Sequence, residues 1–199
     1  HKIFTYAFDL RPNLYPVLLK SGFVQEARLI GHGFIERQYV DVLIHSKINY
    51  PLTLRLARES DLDITFEWAS NKIIRKFAIQ KTDIIYAEHE KWFLDKIAVP
   101  DCVYFIAELN KNSVGSIRFD INDRKEALLS FLLDPKYHGK GYGKQILQKG
   151  CDELLKLRGI SNILGVVSKE NLMSLKTFKS LGFQEVSELD GYITFIKIF

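Results

Sequence analysis

The sequence predicts an α/β protein, with strands and amphipathic helices alternating along nearly the whole chain. Three observations carry the prediction. Short apolar runs of strand character, such as residues 128–133, are bounded by turn residues. Longer segments, such as 142–157, repeat apolar residues at helical spacing instead. A glycine-rich turn made of His138, Gly139, Lys140, Gly141, Tyr142 and Gly143 joins one of each.

In chain order, residues 1–10 alternate apolar and polar side chains densely enough for a buried strand. Residues 11–21 predict a short helix limited by Pro12 and Pro16, with Pro16 breaking or kinking its interior. Gly22 and Phe23 end it, and 23–30 and 39–45 read as two strands joined by a turn over 31–36. Asn49, Tyr50 and Pro51 mark the boundary expected between two domains, 1–49 and 52–199. Beyond it, 52–58 alternates as a strand, and Glu59, Ser60 and Asp61 supply helix-start chemistry for 62–69. A second helix is expected over 86–98, with Trp92, Phe93 and Ile97 on its apolar side. Strands over 103–109, 114–121 and 127–133 lead into the glycine turn. The helix over 142–157 then places Ile146, Leu147, Cys151, Leu154 and Leu155 toward a core. A buried strand over 163–167, a helix over 171–180, and strands over 184–188 and 192–198 complete the chain.

Strand, glycine turn and helix together favour an anion. The first backbone N–H groups of a helix lack internal partners, the helix dipole adds positive potential there, and glycines let a phosphate approach the main chain. Lys140 and Lys144 add charge. The turn is not a P-loop, for it lacks the closing Gly-Lys-Ser/Thr, and its alternating glycines do not spell a Rossmann fingerprint. A second stretch, 169–183, contributes Asn171, Ser174, Phe178, Gly182 and Phe183.

In these two stretches the chain resembles the GNAT acetyltransferase family. Its acetyl-CoA signature is Arg or Gln, two residues, Gly, one residue, then Gly or Ala at a helix start. Here His138 stands where Arg or Gln is usual, with Gly141 and Gly143 in register. The resemblance implies a mixed, mostly antiparallel central sheet flanked by helices for residues 52–199, with acetyl-CoA as cosubstrate and no metal. It implies that the main chain of Phe131, Leu132 and Leu133 holds the pantetheine and polarises the thioester. His138, Gly139, Lys140, Gly141, Tyr142, Gly143 and Lys144 would then take the pyrophosphate, and Asn171 an amide of the arm. Ser174 is a catalytic candidate one turn further on, equally readable as an exposed helix serine. Phe178 occupies a position where the family often has a Tyr acting as general acid, so that proton donor is missing. Glu126 is the implied general base, with Asp120 and Asp123 holding lesser claims. His138 has a suitable intrinsic pKa but lies on the phosphate side.

Residues 18–26, LLKSGFVQE, echo 178–185, FKSLGFQE. Residues 1–49 therefore resemble the C-terminal half of a second such domain. Aligning the Gly-Phe pairs puts Arg11, Leu14 and Leu18 where Asn171, Ser174 and Phe178 stand. With those polar groups gone, the segment is expected to be non-catalytic and to support a homodimer. The stretch with Trp68, Asn71, Arg75, His89, Trp92 and Phe93 is similar to a subgroup acetylating nucleotide-linked amino sugars of the pseudaminic acid type. On that resemblance Trp68 or Trp92 stacks on a sugar or base, Arg75 pairs a phosphate, and His89 takes a proton or sits on a helix surface. The expected function is N-acetyl transfer to a small amine, with protein N-terminal acetylation or a non-catalytic acyl-CoA-binding module as alternatives.

Composition bounds the rest. Of 199 residues, 47% are hydrophobic and 26% charged, the make-up of a folded globular chain. A net charge of +4, scattered along the sequence, argues against nucleic-acid binding. No apolar run reaches membrane-spanning length and no signal-peptide core opens the chain, so no membrane partner is expected. Cys102 and Cys151 have no CxxC spacing and read as buried reduced thiols, which favours the cytoplasm. The start at His1 rather than Met suggests a fragment or a processed product.

Overall fold

The computed structural model describes residues 1–48 and 50–199; Asn49, part of the expected boundary, lies outside the described residues. The chain forms two compact units, His1–Pro51 and Leu52–Phe199.

The first unit holds β1 (Lys2–Phe8), α1 (Leu14–Lys20), β2 (Val24–Ile35) and β3 (Gln38–Ile48), with strand order β1-β3-β2 and both pairings antiparallel. Two expectations change here. Pro16 does not break the helix, because α1 begins at Leu14 and Pro16 falls in the first turn, where its missing N–H has no intrahelical role. The turn expected over 31–36 shrinks to Glu36 and Arg37, both at positive φ (51° and 64°). β2 runs on to Ile35 because it absorbs Gly31 (φ 59°) in an irregularity between Leu29 and Gly33.

The second unit holds β4 (Leu52–Leu56), α2 (Leu62–Ser70), α3 (Lys72–Arg75), α4 (Tyr86–Ala98), β5 (Cys102–Leu109), β6 (Asn112–Ile121), β7 (Glu126–Leu133), α5 (Tyr142–Leu157), β8 (Asn162–Ser168), α6 (Leu172–Ser180), β9 (Gln184–Leu189) and β10 (Tyr192–Ile198). Its sheet is mixed and mostly antiparallel, as expected, in the order β4-β5-β6-β7-β8-β10-β9, with β7–β8 as the parallel pair. One face is covered by α5, whose Ile146, Leu147, Cys151 and Leu154 are buried with Ile117 and Phe119 of β6. The other face carries α2 and α4, with Trp68 and Phe93 buried beneath them. The start of α2 is pinned electrostatically. Asp61 takes two hydrogen bonds from the Arg55 guanidinium, both 2.7 Å, and one from the Arg58 N–H, while Arg55 also donates to Glu108 at 2.6 Å.

The echo between the two Gly-Phe stretches is repeated in topology. β8, α6, β9 and β10 pair in the order β8-β10-β9, the same connectivity as β1, α1, β2 and β3. Gly22 (φ 80°) and Gly182 (φ 81°) end the two helices, and the next N–H returns to the helix in both: Phe23 to the Leu18 carbonyl at 3.0 Å, Phe183 to the Phe178 carbonyl at 3.2 Å. The N-termini differ. Asn171 caps α6 by accepting from the Ser174 N–H at 3.1 Å, whereas α1 has no side-chain cap.

Candidate active site

The site is built where two parallel strands part. β7 and β8 pair only from Glu126↔Asn162 to Leu129↔Gly165, although both continue further. The β8-facing edge of β7 from Ser130 to Leu133 therefore has no strand partner among the described residues. A backbone edge with unpaired N–H and C=O groups is a place for an extended, amide-bearing ligand. Phe131, Leu132 and Leu133 lie on this edge.

The glycine turn begins directly beyond it. Asp134 accepts from the Lys136 N–H at 2.9 Å, and the His138 ring contacts the Leu133 carbonyl through Nε2 at 2.9 Å, which folds the turn back on the strand end. Gly141 is the N-cap of α5 at φ 80°, with no side-chain cap on the helix. A Cβ built on Gly139 or Gly141 would meet nothing within 4 Å, so the space over the first N–H groups of α5 is open. Lys144 is exposed on the first turn, while Lys140 reaches the Lys136 carbonyl at 3.1 Å and lies over the Tyr137 ring. Tyr142 packs edge-on against Tyr137. Gly143 is the exception among the glycines, since a Cβ there makes only ordinary contact with Phe131 and Leu133.

On the face of the sheet that carries α2 and α4 lies a cavity of about 190 Å³. Strand alternation sends Tyr104 of β5, Ser116 and Arg118 of β6, and Ser130 and Leu132 of β7 to it. His89 and Trp92 of α4 and Arg75 of α3 form part of its opposite wall. Ser130 and Leu132 belong both to this cavity and to the parted edge, so the two spaces meet at the end of β7.

The aromatic and charged groups of the wall are held firmly. The Arg118 guanidinium lies 4.7 Å from the Trp92 ring centroid and donates to Asp120 at 3.0 Å, and Asp120 also binds Lys96 at 2.6 Å. Arg75 donates to the carbonyls of Gln80 and Thr82, while its buried Nε–H has no partner among the described residues. His89 is 4% exposed and ringed by Phe66, Trp92 and Phe93. Its Nε2 is 3.2 Å from Thr65 Oγ1, which donates its own proton to the Leu62 carbonyl at 2.9 Å. Nε2 is then the donor, and Nδ1 carries the lone pair. Burial lowers the pKa of the ring below the ordinary histidine value, so it is neutral at pH 7.

Several expected site residues lie elsewhere. Glu126 stands at the closed end of the β7–β8 pair, about 20 Å along the strand from Leu132 at ~3.3 Å per residue. Its carboxylate accepts from Asn122 at 2.9 Å and Asn162 at 3.3 Å, and these bonds hold its pKa below the usual carboxylate range, the opposite of what a base at neutral pH needs. Asp123 is exposed in the turn at that same end. Asp120 is committed to Lys96 and Arg118. Trp68 is 1% exposed and offers no face for stacking. Phe178 is 1% exposed too, enclosed by Phe131, Phe183 and Phe195, so its ring fills core space at the point where the strands part. His89 is not a helix-surface histidine. Ser174 is half-buried on the first turn of α6, and Asn171 spends its Oδ1 on the helix cap.

Sequence reasoning missed Tyr104, Ser116, Arg118 and Ser130. A signal existed: alternation puts Ser116, Arg118 and Asp120 on one face of an otherwise apolar strand. Among the described residues no group of His, Cys, Asp and Glu could hold a metal ion, and no helix is long and apolar enough to cross a membrane.

Comparison with known proteins identifies the family. The acetyltransferase (GNAT) domain family matches residues 51–184, which includes the parted strands, the glycine turn and α6. An uncharacterised N-acetyltransferase of Methanocaldococcus jannaschii is 25% identical over 95% of this chain and 84% of its own length. Among solved structures, a domain from the same organism superposes with a TM-score of 0.67 at 23% identity, over 76% of this chain and all of that one. A spermidine N-acetyltransferase from Vibrio cholerae, in complex with CoA and spermine, also gives 0.67, at 20% identity over 74% of this chain and 95% of that one.

Proposed function

We propose a function from one premise: the chain belongs to the GNAT acetyltransferase family and is an acetyl-CoA-dependent N-acetyltransferase. The acceptor is a small amine, with the sugar amine of a nucleotide-linked amino sugar as the leading candidate. The observation that carries this is the meeting of an unpaired β7 edge with a cavity walled by Trp92, His89 and Arg75. In this reading the pantetheine lies along Phe131, Leu132 and Leu133. The pyrophosphate sits over His138, Gly139, Lys140, Gly141, Tyr142, Gly143 and Lys144, and Asn171 offers its remaining amide N–H groups to the arm. The acceptor amine attacks the thioester carbonyl from the cavity side, forming C–N as C–S breaks. His89 Nδ1 takes the proton the amine sheds, directly or through a water, in place of Glu126. The thiolate leaves without help from position 178, where no hydroxyl exists.

Residues 1–49 are assigned a non-catalytic role. Arg11, Leu14 and Leu18 replace the cap, the serine and the enclosed aromatic of α6. The unit exposes Tyr6, Ile30, Phe34 and Tyr39, which suits self-association through this segment. Free thiols at Cys102 and Cys151 suit a reducing compartment such as the cytoplasm.

The test is CoA release from acetyl-CoA with UDP-linked amino sugars, free amino sugars, polyamines and short peptides. Release with an amino sugar supports the reading. Release with peptides alone moves the assignment to protein acetylation. Binding of acetyl-CoA with silence across the panel moves it to a non-catalytic module.

A further inference from the structure

We propose that the acceptor carries an anionic group, a carboxylate or a phosphate, close to its reacting amine, and that Arg118 and Arg75 read that group. The inference rests on the acetyl-transfer reading above and adds the chemical class of the acceptor.

The charge of the cavity wall leads to it. Two guanidiniums line the cavity, and no Asp or Glu is among its lining residues. Asp120, behind Arg118, is shared with Lys96 (2.6 Å) and so leaves this cluster with a net positive charge. Arg75 has backbone carbonyls as partners rather than a carboxylate, and its buried Nε–H remains unsatisfied among the described residues. A buried donor on a fixed cation is costly to leave unmade and is met by an acceptor oxygen of the ligand. Arg118 is preorganised for the same task. Trp92 lies against it, 4.7 Å from ring centroid to guanidinium, and Asp120 accepts from its Nε–H, so its position is held from two sides. Ser116 and Ser130 supply neutral hydroxyls beside it.

The same wall disfavours polycations. A polyamine would bring further ammonium groups against two guanidiniums with no carboxylate to receive them. Sharing a fold with a spermidine N-acetyltransferase therefore does not carry that acceptor to this chain. The cavity, about 190 Å³, lies below the ~300–1,000 Å³ of sites for drug-sized ligands. It suits one ring or a short chain with its anionic substituent, any remainder of the acceptor lying outside.

The experiment compares kcat/KM for glucosamine, glucosamine 6-phosphate, muramic acid and spermidine in the full chain. Parallel calorimetry measures binding of each acceptor, and of acetyl-CoA, without turnover. We expect the phosphate- or the carboxylate-bearing amine to exceed glucosamine by tenfold or more, and whichever arm responds identifies the source of the charge. Arg118→Gln should raise KM for that acceptor about 10- to 100-fold, the effect of losing one charge-assisted contact, and Arg118→Lys should recover part of it. Unchanged acetyl-CoA affinity in both variants shows that the fold and cofactor cleft are intact. Preference for spermidine or glucosamine, absence of binding by either anionic amine, or an anion preference that survives Arg118→Gln overturns the inference while leaving acetyl transfer standing. Failure of the parent chain to bind acetyl-CoA overturns the premise instead.

Discussion

Replacing Gly165 with alanine tests the geometry where the strands part. A Cβ on Gly165 would lie 2.4 Å from Phe178 Cε1 and 2.7 Å from Cζ, whereas ordinary contact starts near 3.4 Å. The ring must retreat by about 1 Å, yet Phe183 (4.9 Å between centroids) and Phe195 (5.1 Å) already hold it from other sides. Overpacking of this kind costs about 1–3 kcal/mol, and a 2.4 Å contact puts this site at the upper end; alanine recovers ~0.5–1 kcal/mol of that in chain entropy. A net cost near 2 kcal/mol lowers Tm by about 4–8 °C in a unit of this size. Trp68 and Trp92, the two tryptophans of the chain, both lie in the second unit, so their fluorescence during urea and thermal unfolding reads that unit selectively. Phe178→Leu removes the obstacle at a large-to-small cost of its own. The double variant should therefore be at least ~1 kcal/mol more stable than the sum of the single changes predicts. A Gly165→Ala protein within 0.5 kcal/mol of the parent, or strict additivity in the double variant, would refute the placement of the Phe178 ring against Gly165.

Other expectations can be checked more briefly. Because burial depresses the His89 pKa, the imidazole is already neutral above about pH 6.5, and kcat/KM should fall only on the acid side of that value; an acid limb centred at or above pH 7 excludes His89 as the base. The same depression links to stability: the unfolded chain binds the proton more readily, so the contribution is present above about pH 6.5 and is lost as pH falls through the lower folded pKa. Glu126→Gln should leave kcat within about threefold of the parent, since its carboxylate ties a turn rather than meeting substrate, and a loss of a hundredfold or more would return it to the mechanism. Asp61→Asn should cost about 2–3 kcal/mol by urea titration, less than the ~3–5 kcal/mol for breaking a fully sealed pair because Arg55 keeps Glu108. Cys151, whose thiol burial pushes up to about 12, should resist thiol reagents until the unit unfolds. Fast labelling in the native protein contradicts its placement between α5 and the sheet.

What could be read from the sequence was local in origin. The bounds of α4 and α5 follow from an apolar stripe that starts and stops within the segment, and β10 from an apolar run set off by a glycine turn. The glycine turn was legible for the same reason, since Gly139 and Gly141 take the positive φ that glycine favours. α3 escaped notice at four residues, too short for periodicity, although Asn71 marks its start by accepting from the Ile73 N–H at 2.9 Å. The cavity wall depends on register instead. Arg118 stands opposite Ser130 only because β6 and β7 pair at that offset, and it meets Trp92 only because α4 crosses that face. A shift of one residue would turn Arg118 into the α5-side core and leave the cavity without its cation.

The repeat sharpens this division between fold and site. Residues 2–48 and 162–198 share one connectivity and one helix-ending turn, so the physics of strand, helix and Gly-Phe is satisfied twice. What separates them lies at the start of the helix and beside the first strand. Asn171 caps α6 while α1 goes uncapped, and β8 has β7 as a parallel neighbour while the sheet of the first unit ends at β1. The cleft requires a second strand that pairs and then parts, and only β8 has one. The connectivity that the two units share therefore does not by itself make the cleft, and the proposed chemistry is placed on the β7 edge, the turn after it and the wall across from Ser130.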